Sequence, residues 1–236
     1  MLQIAIINES TAISDADVQK MIPALSSQWN KDLDSVWNVG DAVFTFITKK
    51  KEPASGSWWA VFFDEPDQAN ACAYHDLTNE GLPIAKVFVK SFLSDKASIS
   101  VGASHEICEM AVDPWLNCAY QDTQGTFWAG EVCDPVEGDD HGYKVEGILV
   151  SDFVTPSWFG HPKGTVDFDL GRHTHAAFEV LSGGFAQKFD ARSGGWQQIT
   201  GAQAARTRRA HAERGSRRER RARGRKNWQR SAHRWG

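Results

Sequence analysis

Short apolar runs and one stretch with helical spacing dominate the N-terminal part of the chain. The apolar runs at residues 3–8, 42–48 and 58–63 have the length and the aliphatic or aromatic content of strands. Ser14 is a favourable helix N-cap, and apolar residues follow it at helical spacing, namely Val18, Met21, Ile22, Leu25 and Trp29. We therefore expect strands and a backing helix, with a kink in that helix at Pro23.

A second helix is predicted over residues 98–112, where apolar residues recur at helical spacing until Pro114 stops them. Residues 85–92 alternate between apolar and polar, which predicts a half-buried or edge strand, whereas 67–81 favours an irregular or briefly helical segment. Beyond residue 115 the chain is rich in loops, with short strands expected at 144–150 and 178–181 and a final hairpin over 183–196. These elements predict an α+β fold with a mixed N-terminal sheet and a loop-rich C-terminal half.

Charge divides the 236 residues into an acidic body and a basic tail. Beyond residue 201 lie 13 of the 26 Lys and Arg residues but only two of the 30 Asp and Glu residues, so this tail carries a formal charge of +11 and the preceding part carries −15. We expect one folded domain over residues 1–201 and a disordered tail over 202–236. Such a tail could contact nucleic acid or another acidic surface, including the acidic body.

Two further features bear on the compartment. The chain has no run of 18 apolar residues, and its N-terminal MLQIAIINES lacks the basic region and cleavage site of a secretory signal, so we expect a cytoplasmic protein without a membrane span. Four cysteines without a CxxC pair are typical of buried or neutral thiols, although Cys118 and Cys133 could pair under oxidising conditions.

The central chemical motif is HEICE at residues 105–109. On a helix, His105 and Glu109 share one face and can hold a single cation, since imidazole and carboxylate are both zinc ligands. Glu106 lies one step round the helix, where it can act as the general base of a metal-assisted hydrolysis. Zn²⁺ is the expected ion, and manganese, iron or calcium are compatible alternatives. The alternative for HExxE alone is an amphipathic helix with a solvated acidic face.

Three acidic residues beyond the motif compete for the role of third metal ligand. Asp113 lies about 12 Å from His105 along a continuous helix, too far for both to bind one ion unless the helix breaks. Glu131 has no such limit and is the preferred third ligand. Asp134 and Asp113 remain as alternative ligands or as hydrogen-bond partners of His105, and helix termination is the other explanation for Asp113.

Two other residues are candidates for catalysis. His75 and Tyr143 could stabilise an oxyanion or contact substrate, and a structural hydrogen-bonding role is the alternative for each. The pair His173 and His175 would face one side of a strand, which permits a second metal site, although a polar loop is the other interpretation.

The HEICE and EVCD strings resemble the zincin metallopeptidases, most of all the gluzincin branch. In those enzymes a Glu beyond the helix completes the zinc site, and an Asp shortly after it supports a His ligand. The resemblance implies that His105 and Glu131 are ligands, Glu106 is the base and Asp134 is the supporting acid. Glu109 departs from the family, which has His there. The resemblance also implies an edge strand lining the cleft, for which residues 85–92 are our candidate.

A closer resemblance is to a group of uncharacterised bacterial and phage-borne proteins that share SHExxEMxxDP, GExCDPV and VSDFVTPxWF. Here these motifs occupy residues 104–114, 130–136 and 150–159, and the resemblance extends over about residues 3–197. The expected function is a zinc-dependent hydrolase, with a peptide or protein as the substrate. The alternatives are a non-catalytic, metal-stabilised interaction module associated with virions, or a nucleic-acid-associated protein acting through its tail.

Overall fold

The computed structural model describes residues 1–49, 51–68, 71–161, 167–190 and 194–201. The basic tail predicted over 202–236 therefore lies outside the described residues. Among the residues described, no helix combines the length and the apolar character needed to cross a membrane.

A five-stranded mixed sheet forms the N-terminal half. Its strands are β1 (Leu2–Asn8), β2 (Ala42–Ile47), β3 (Trp58–Phe63), β4 (Ala73–Leu77) and β5 (Pro83–Phe88), in the order β2-β1-β3-β5-β4. The neighbouring pairs β1 with β2, β1 with β3 and β3 with β5 are parallel, and β4 pairs antiparallel with β5. The α+β class and the mixed N-terminal sheet expected from the sequence are thus confirmed.

One helical segment lies between β1 and β2, and two further helices follow β5. The backing helix α1 (Asp15–Ser27) begins at Ser14, whose Oγ accepts the backbone N–H of Asp17. It passes through Pro23 and continues as a π-helical segment (Gln28–Leu33) and a short α2 (Asp34–Trp37), so the departure from α geometry follows the proline by several residues. Helix α3 (Val89–Asp95) and helix α4 (Ile99–Val112) follow β5.

Alternation along β1 assigns the two faces of the sheet. Ile4 and Ile6 point into the main core together with Leu25 of α1 and Ile107 of α4. Ile7, on the opposite face, belongs to a smaller cluster. One face of the sheet is therefore covered by the helices, and this is the side on which the chemistry of α4 is enclosed.

The C-terminal half combines small sheets with long loops. Strands β6 (Ala119–Gln121), β7 (Thr126–Ala129), β10 (Phe185–Asp190) and β11 (Gly195–Thr200) form an antiparallel sheet in the order β11-β10-β7-β6. Strands β8 (Tyr143–Val145) and β9 (Ile148–Val150) form a hairpin beside α4, and two 3-10 turns cover Asp134–Val136 and Asp139–His141. The predicted final hairpin and the strands at 144–150 are present.

Helix α4 is buried on every side. All of its residues from Val101 to Ala111 are buried, because β4 and β5 lie against it as well as the β8–β9 hairpin, α1 and α3. A helix in this position is normally apolar all round. The ionisable residues on α4 are therefore enclosed by protein, which excludes the solvated acidic face considered from the sequence.

The edge strand was predicted in the wrong place. Residues 85–92 divide between β5, which is internal, and α3, which begins at Val89. The edge strands are β2 and β4, and β4 lies within a segment that the sequence predicted to be irregular. Lys86 is the polar residue that gives β5 its alternating pattern, yet it is buried. Its ammonium group is satisfied in the interior, because Nζ donates to Asp67 Oδ2 at 2.7 Å and to Tyr74 Oη at 2.9 Å.

The strand predicted at 178–181 is also absent. Phe178 has a left-handed backbone with a φ of 62°, which is incompatible with a strand. Its ring stacks on Trp128 with the ring centroids 4.5 Å apart, and its N–H donates to Trp158 O. Aromatic packing, rather than strand pairing, explains the apolar residues of this segment.

Close contact between α3 and α4 yields a test of the packing. A Cβ placed on Gly102 would overlap Cζ of the Phe92 ring and lie 2.6 and 2.7 Å from its Cε atoms. We expect Gly102→Ala to lower the free energy of unfolding by about 1–3 kcal/mol through overpacking, although Ala favours a helix over Gly by about 1 kcal/mol. Urea unfolding measures this change. Combining Gly102→Ala with Phe92→Leu should recover part of the lost unfolding free energy. A Gly102→Ala protein as stable as wild type would contradict the packing described.

Candidate metal centre

Helix α4 presents His105, Glu106 and Glu109 to the interior of the protein. The predicted helical spacing is confirmed, since His105 Nε2 lies 3.3 Å from Glu109 Oε1 one turn later. Glu109 contacts both histidines of the site and two backbone N–H groups.

The segment that follows β7 brings two further acids to this helix. Asp134 Oδ1 lies 3.2 Å from His105 Nε2. The backbone N–H groups of Cys133 and Asp134 both donate to Glu109 Oε1 at 3.2 Å, which fixes the segment against α4. Glu131, just beyond the end of β7, is buried in the same region.

His75 enters the arrangement from edge strand β4. Its Nδ1 lies 3.5 Å from both Glu106 Oε2 and Glu109 Oε2. Its Nε2 lies 3.7 Å from Glu131 Oε2 and has no hydrogen-bond partner among the described residues. The ring therefore bridges the helix and the segment after β7, with one nitrogen left unsatisfied in the interior.

We refer to six side chains as the central cluster: His75, His105, Glu106, Glu109, Glu131 and Asp134. Their exposed fractions lie between 1% and 4%. Two sets of three have donor atoms close enough to surround one ion, and both sets contain Glu109. The first set is His75, Glu109 and Glu131, and the second is His105, Glu109 and Asp134.

The protonation of this metal-free cluster follows from burial and close charges. Burial opposes a charged imidazole, but the charge of Glu131 and the hydrogen bonds to Glu106 and Glu109 outweigh it and raise the pKa of His75 to about 10. The pKa of His105 is also raised, because Glu109 and Asp134 outweigh burial.

The pKa values of the two acids that contact His105 are shifted in opposite directions. Burial works to raise the pKa of Glu109, but His105 and His75 hold it well below the usual value. Burial and the charge of Glu109 raise the pKa of Asp134 well above its usual value. Without a metal, Glu109 is therefore the anion between two imidazolium rings, and Asp134 keeps its proton.

The structure distributes the predicted metal ligands differently from the sequence expectation. Glu131, predicted to join His105, is grouped with His75, whereas Asp134 is the acid beside His105. Asp113 lies outside both sets. Its Oδ1 accepts the backbone N–H groups of Asn117 at 2.7 Å and Cys118 at 2.8 Å, so it organises the chain where α4 ends.

Tyr143, a predicted catalytic residue, makes its hydrogen bonds with residues outside the central cluster. Its hydroxyl donates to Asp32 Oδ2 at 2.9 Å and accepts a hydrogen bond from Gln28 at 3.1 Å, and burial raises its pKa. His75, predicted to stabilise an oxyanion or contact substrate, lies among donor atoms that could hold a metal ion. No sequence signal indicated this, because its strand was predicted to be irregular.

None of the four cysteines, all of them among the described residues, forms a disulfide with another. Cys133 is buried, and its pKa is raised by burial and by a hydrogen bond with Cys108, which lies on α4. Cys133 therefore neighbours Cys108.

A second group of ionisable residues lies in the loops of the C-terminal half. His173 Nδ1 is 3.1 Å from Asp152 Oδ2 and 3.4 Å from Asp169 Oδ2, whereas His175, its predicted partner, is exposed and outside the group. Although these donors are close enough for a cation, both oxygens of each aspartate already have partners within the loops, such as the N–H of Gly171 at 3.0 Å. We assign this group to loop structure, because none of its described side-chain atoms is buried without a hydrogen-bond partner, unlike Nε2 of His75 in the central cluster.

Titration of Asp152 gives a pH-dependent stability. Burial and the adjacent Asp169 raise the pKa of Asp152 to about 8. The pKa of Asp169 is lowered, because its hydrogen bonds, of which the one with Asp152 contributes most, outweigh burial. A carboxyl group whose pKa is raised on folding stabilises the protein fully below its unfolded value and loses this contribution as the pH rises towards the folded value.

We therefore expect unfolding free energy to fall between about pH 4 and pH 8, with Asp152 contributing up to about 1.4 kcal/mol per pH unit. In Asp152→Asn the amide can still donate to Asp169 but does not titrate. The unfolding free energy of this variant should therefore fall less steeply with pH than that of wild type. Urea unfolding at pH 5, 7 and 9 measures both proteins. Equal slopes would contradict the assignment, and His173→Ala tests whether the neighbouring imidazole is responsible.

Comparison with protein-family models, with curated proteins and with solved structures finds no match to this chain. The functional argument therefore depends on the central cluster.

Proposed function

We propose that this protein is a metal-dependent hydrolase, acting on peptides, whose metal is held by the central cluster and whose general base is Glu106. The observation that carries the proposal is the ring of His75, where Nε2 is buried and has no hydrogen-bond partner among the described residues. Because an unsatisfied polar atom in the interior is costly, such an atom needs an explanation. A bound cation supplies one.

The donor set fits a divalent ion. His75, Glu109 and Glu131 offer one imidazole nitrogen and carboxylate oxygens, which suit zinc and also manganese or iron. Glu131 Oε2 lies 3.7 Å from Nε2, and one donor atom from each of the three residues lies within 4.8 Å of the others, so an ion could lie between them. A divalent ion held there supplies Lewis acidity, which polarises a carbonyl group and makes a bound water molecule more acidic.

Glu106 is placed to move a proton. Its Oε2 lies 3.5 Å from His75 Nδ1, although Glu106 does not belong to the set formed by His75, Glu109 and Glu131. A carboxylate beside the ligands can accept a proton from the attacking water and return it to the leaving amine. The HExxE spacing thus gives Glu109 and Glu106 separate roles.

The position of β4 supports a peptide as the substrate. The strand that supplies His75 is one of the two edge strands of the sheet, and β5 is the one described strand that pairs with it. An extended peptide can add to such an edge through backbone hydrogen bonds. A peptide bound there would run next to His75 and the acids of α4, as the zincin resemblance implies.

The test of the mechanism is Glu106→Gln in the full chain. We expect this variant to bind as much metal as wild type, because Glu106 is not a proposed ligand, and to lose at least about 10²-fold in turnover, because the amide cannot accept a proton. Elemental analysis measures the first quantity, and cleavage of a peptide library followed by mass spectrometry measures the second.

Glu80→Gln is the matched control, since Glu80 is an exposed acid outside the cluster and should retain full activity. Wild-type turnover by Glu106→Gln would contradict the assignment of the base. A folded wild-type protein that cannot be loaded with metal would contradict the proposal as a whole.

The burial of the cluster favours a second candidate, a non-catalytic module stabilised by its metal. The near-complete burial of all six side chains is typical of a site that is closed to substrate, as structural metal sites are. In that case metal loading would raise the melting temperature without any cleavage of the library. Cleavage that depends on Glu106 rejects this candidate.

A further inference from the structure

Glu109 faces two histidines with its two carboxylate oxygens. Oε1 lies 3.3 Å from His105 Nε2, and Oε2 lies 3.5 Å from His75 Nδ1. The N–H groups of Cys133 and Asp134 hold Oε1 in place. A carboxylate fixed in this way, with a different imidazole beside each oxygen, has the position of a bridging ligand.

The donors around His105 have the spacing of a second ion site. Asp134 Oδ1 and Glu109 Oε1 lie 3.2 and 3.3 Å from His105 Nε2. Donor atoms arranged tetrahedrally around an ion with bonds of about 2 Å are about 3.3 Å apart. These three side chains need little movement to surround an ion, and they share only Glu109 with the set that contains His75.

The charge of the central cluster is compatible with two ions. Four buried carboxylates, Glu106, Glu109, Glu131 and Asp134, surround two imidazoles. Imidazole binds metal in its neutral form, so the liganded cluster carries four negative charges. Two divalent ions balance these four charges, provided that the second ion displaces the protons of His105 and Asp134.

The unsatisfied Nε2 of His75 is an independent indication that the cluster accepts a ligand. Two imidazoles with several carboxylates form a donor set that is common in proteins with two metal ions. We infer that the central cluster binds two divalent ions, one at His75, Glu109 and Glu131 and the other at His105, Glu109 and Asp134, with Glu109 as the bridge. The inference rests on the proposed function for its first ion and adds the second.

The test uses the full chain, stripped of metal and reloaded with Mn²⁺ alone. We expect two equivalents to remain with wild type after desalting, and only one with His105→Ala or with the more conservative Asp134→Asn. Electron paramagnetic resonance provides a second measurement, because two ions bridged by a carboxylate give a coupled signal. His105→Ala should show an isolated Mn²⁺ ion, and circular dichroism should confirm that each variant is folded.

His173→Ala and His175→Ala are the matched controls and should each keep two equivalents. Loss of one equivalent in His173→Ala would place the second ion in the loops, and this would overturn the inference. One equivalent in wild type, retained by Asp134→Asn, would also overturn it but leave the proposed function standing. A folded wild-type protein with no bound metal would contradict both.

Discussion

The burial of a charged helix face is the constraint on which the rest of this structure depends. Helix α4 lies in the interior with His105, Glu106 and Glu109 among its buried residues. Ionisable groups removed from water must be paired, hydrogen-bonded or bound to a metal. The fold meets this demand with side chains from β4 and from the segment after β7, and with two backbone N–H groups directed at Glu109.

This constraint explains why distant parts of the chain meet at one place. The sheet order puts β4 at the edge beside α4, so that His75 reaches the helix from one side. The turn that starts at Asp134 closes the cluster from the other. Among the described residues these contacts leave Nε2 of His75 without a hydrogen-bond partner, which a metal ion in the proposed site would provide. Metal binding would therefore stabilise the fold as well as enable chemistry.

The sequence predicted those parts of the site that depend on local geometry. The spacing of His105 and Glu109 places them together on any helix, and the helix itself was indicated by its apolar positions and by Pro114. The same local rules predicted β1, β2, β3 and the final hairpin. Which acid would contact which histidine depends on the path of the loop after β7, and no local pattern specifies that path.

The errors have the same physical origin. The alternation of residues 85–92 predicted an exposed face, but Lys86 is buried because Asp67 and Tyr74 satisfy its ammonium group. The segment that contains His75 becomes a strand through pairing with β5 and not through a strong propensity of its own. Long-range partners determined both outcomes, and a single sequence does not reveal such partners.

The central claim is that Glu109 lies at the centre of a metal site, and anomalous diffraction from crystals of the metal-loaded protein tests it most directly. Data collected on both sides of the absorption edge of the loaded ion locate that ion without reference to activity. The account predicts an anomalous peak within bonding distance of Glu109, between His75 and Glu131. A fully loaded crystal with its peaks elsewhere, and with His75 and Glu131 joined by direct hydrogen bonds, would contradict it.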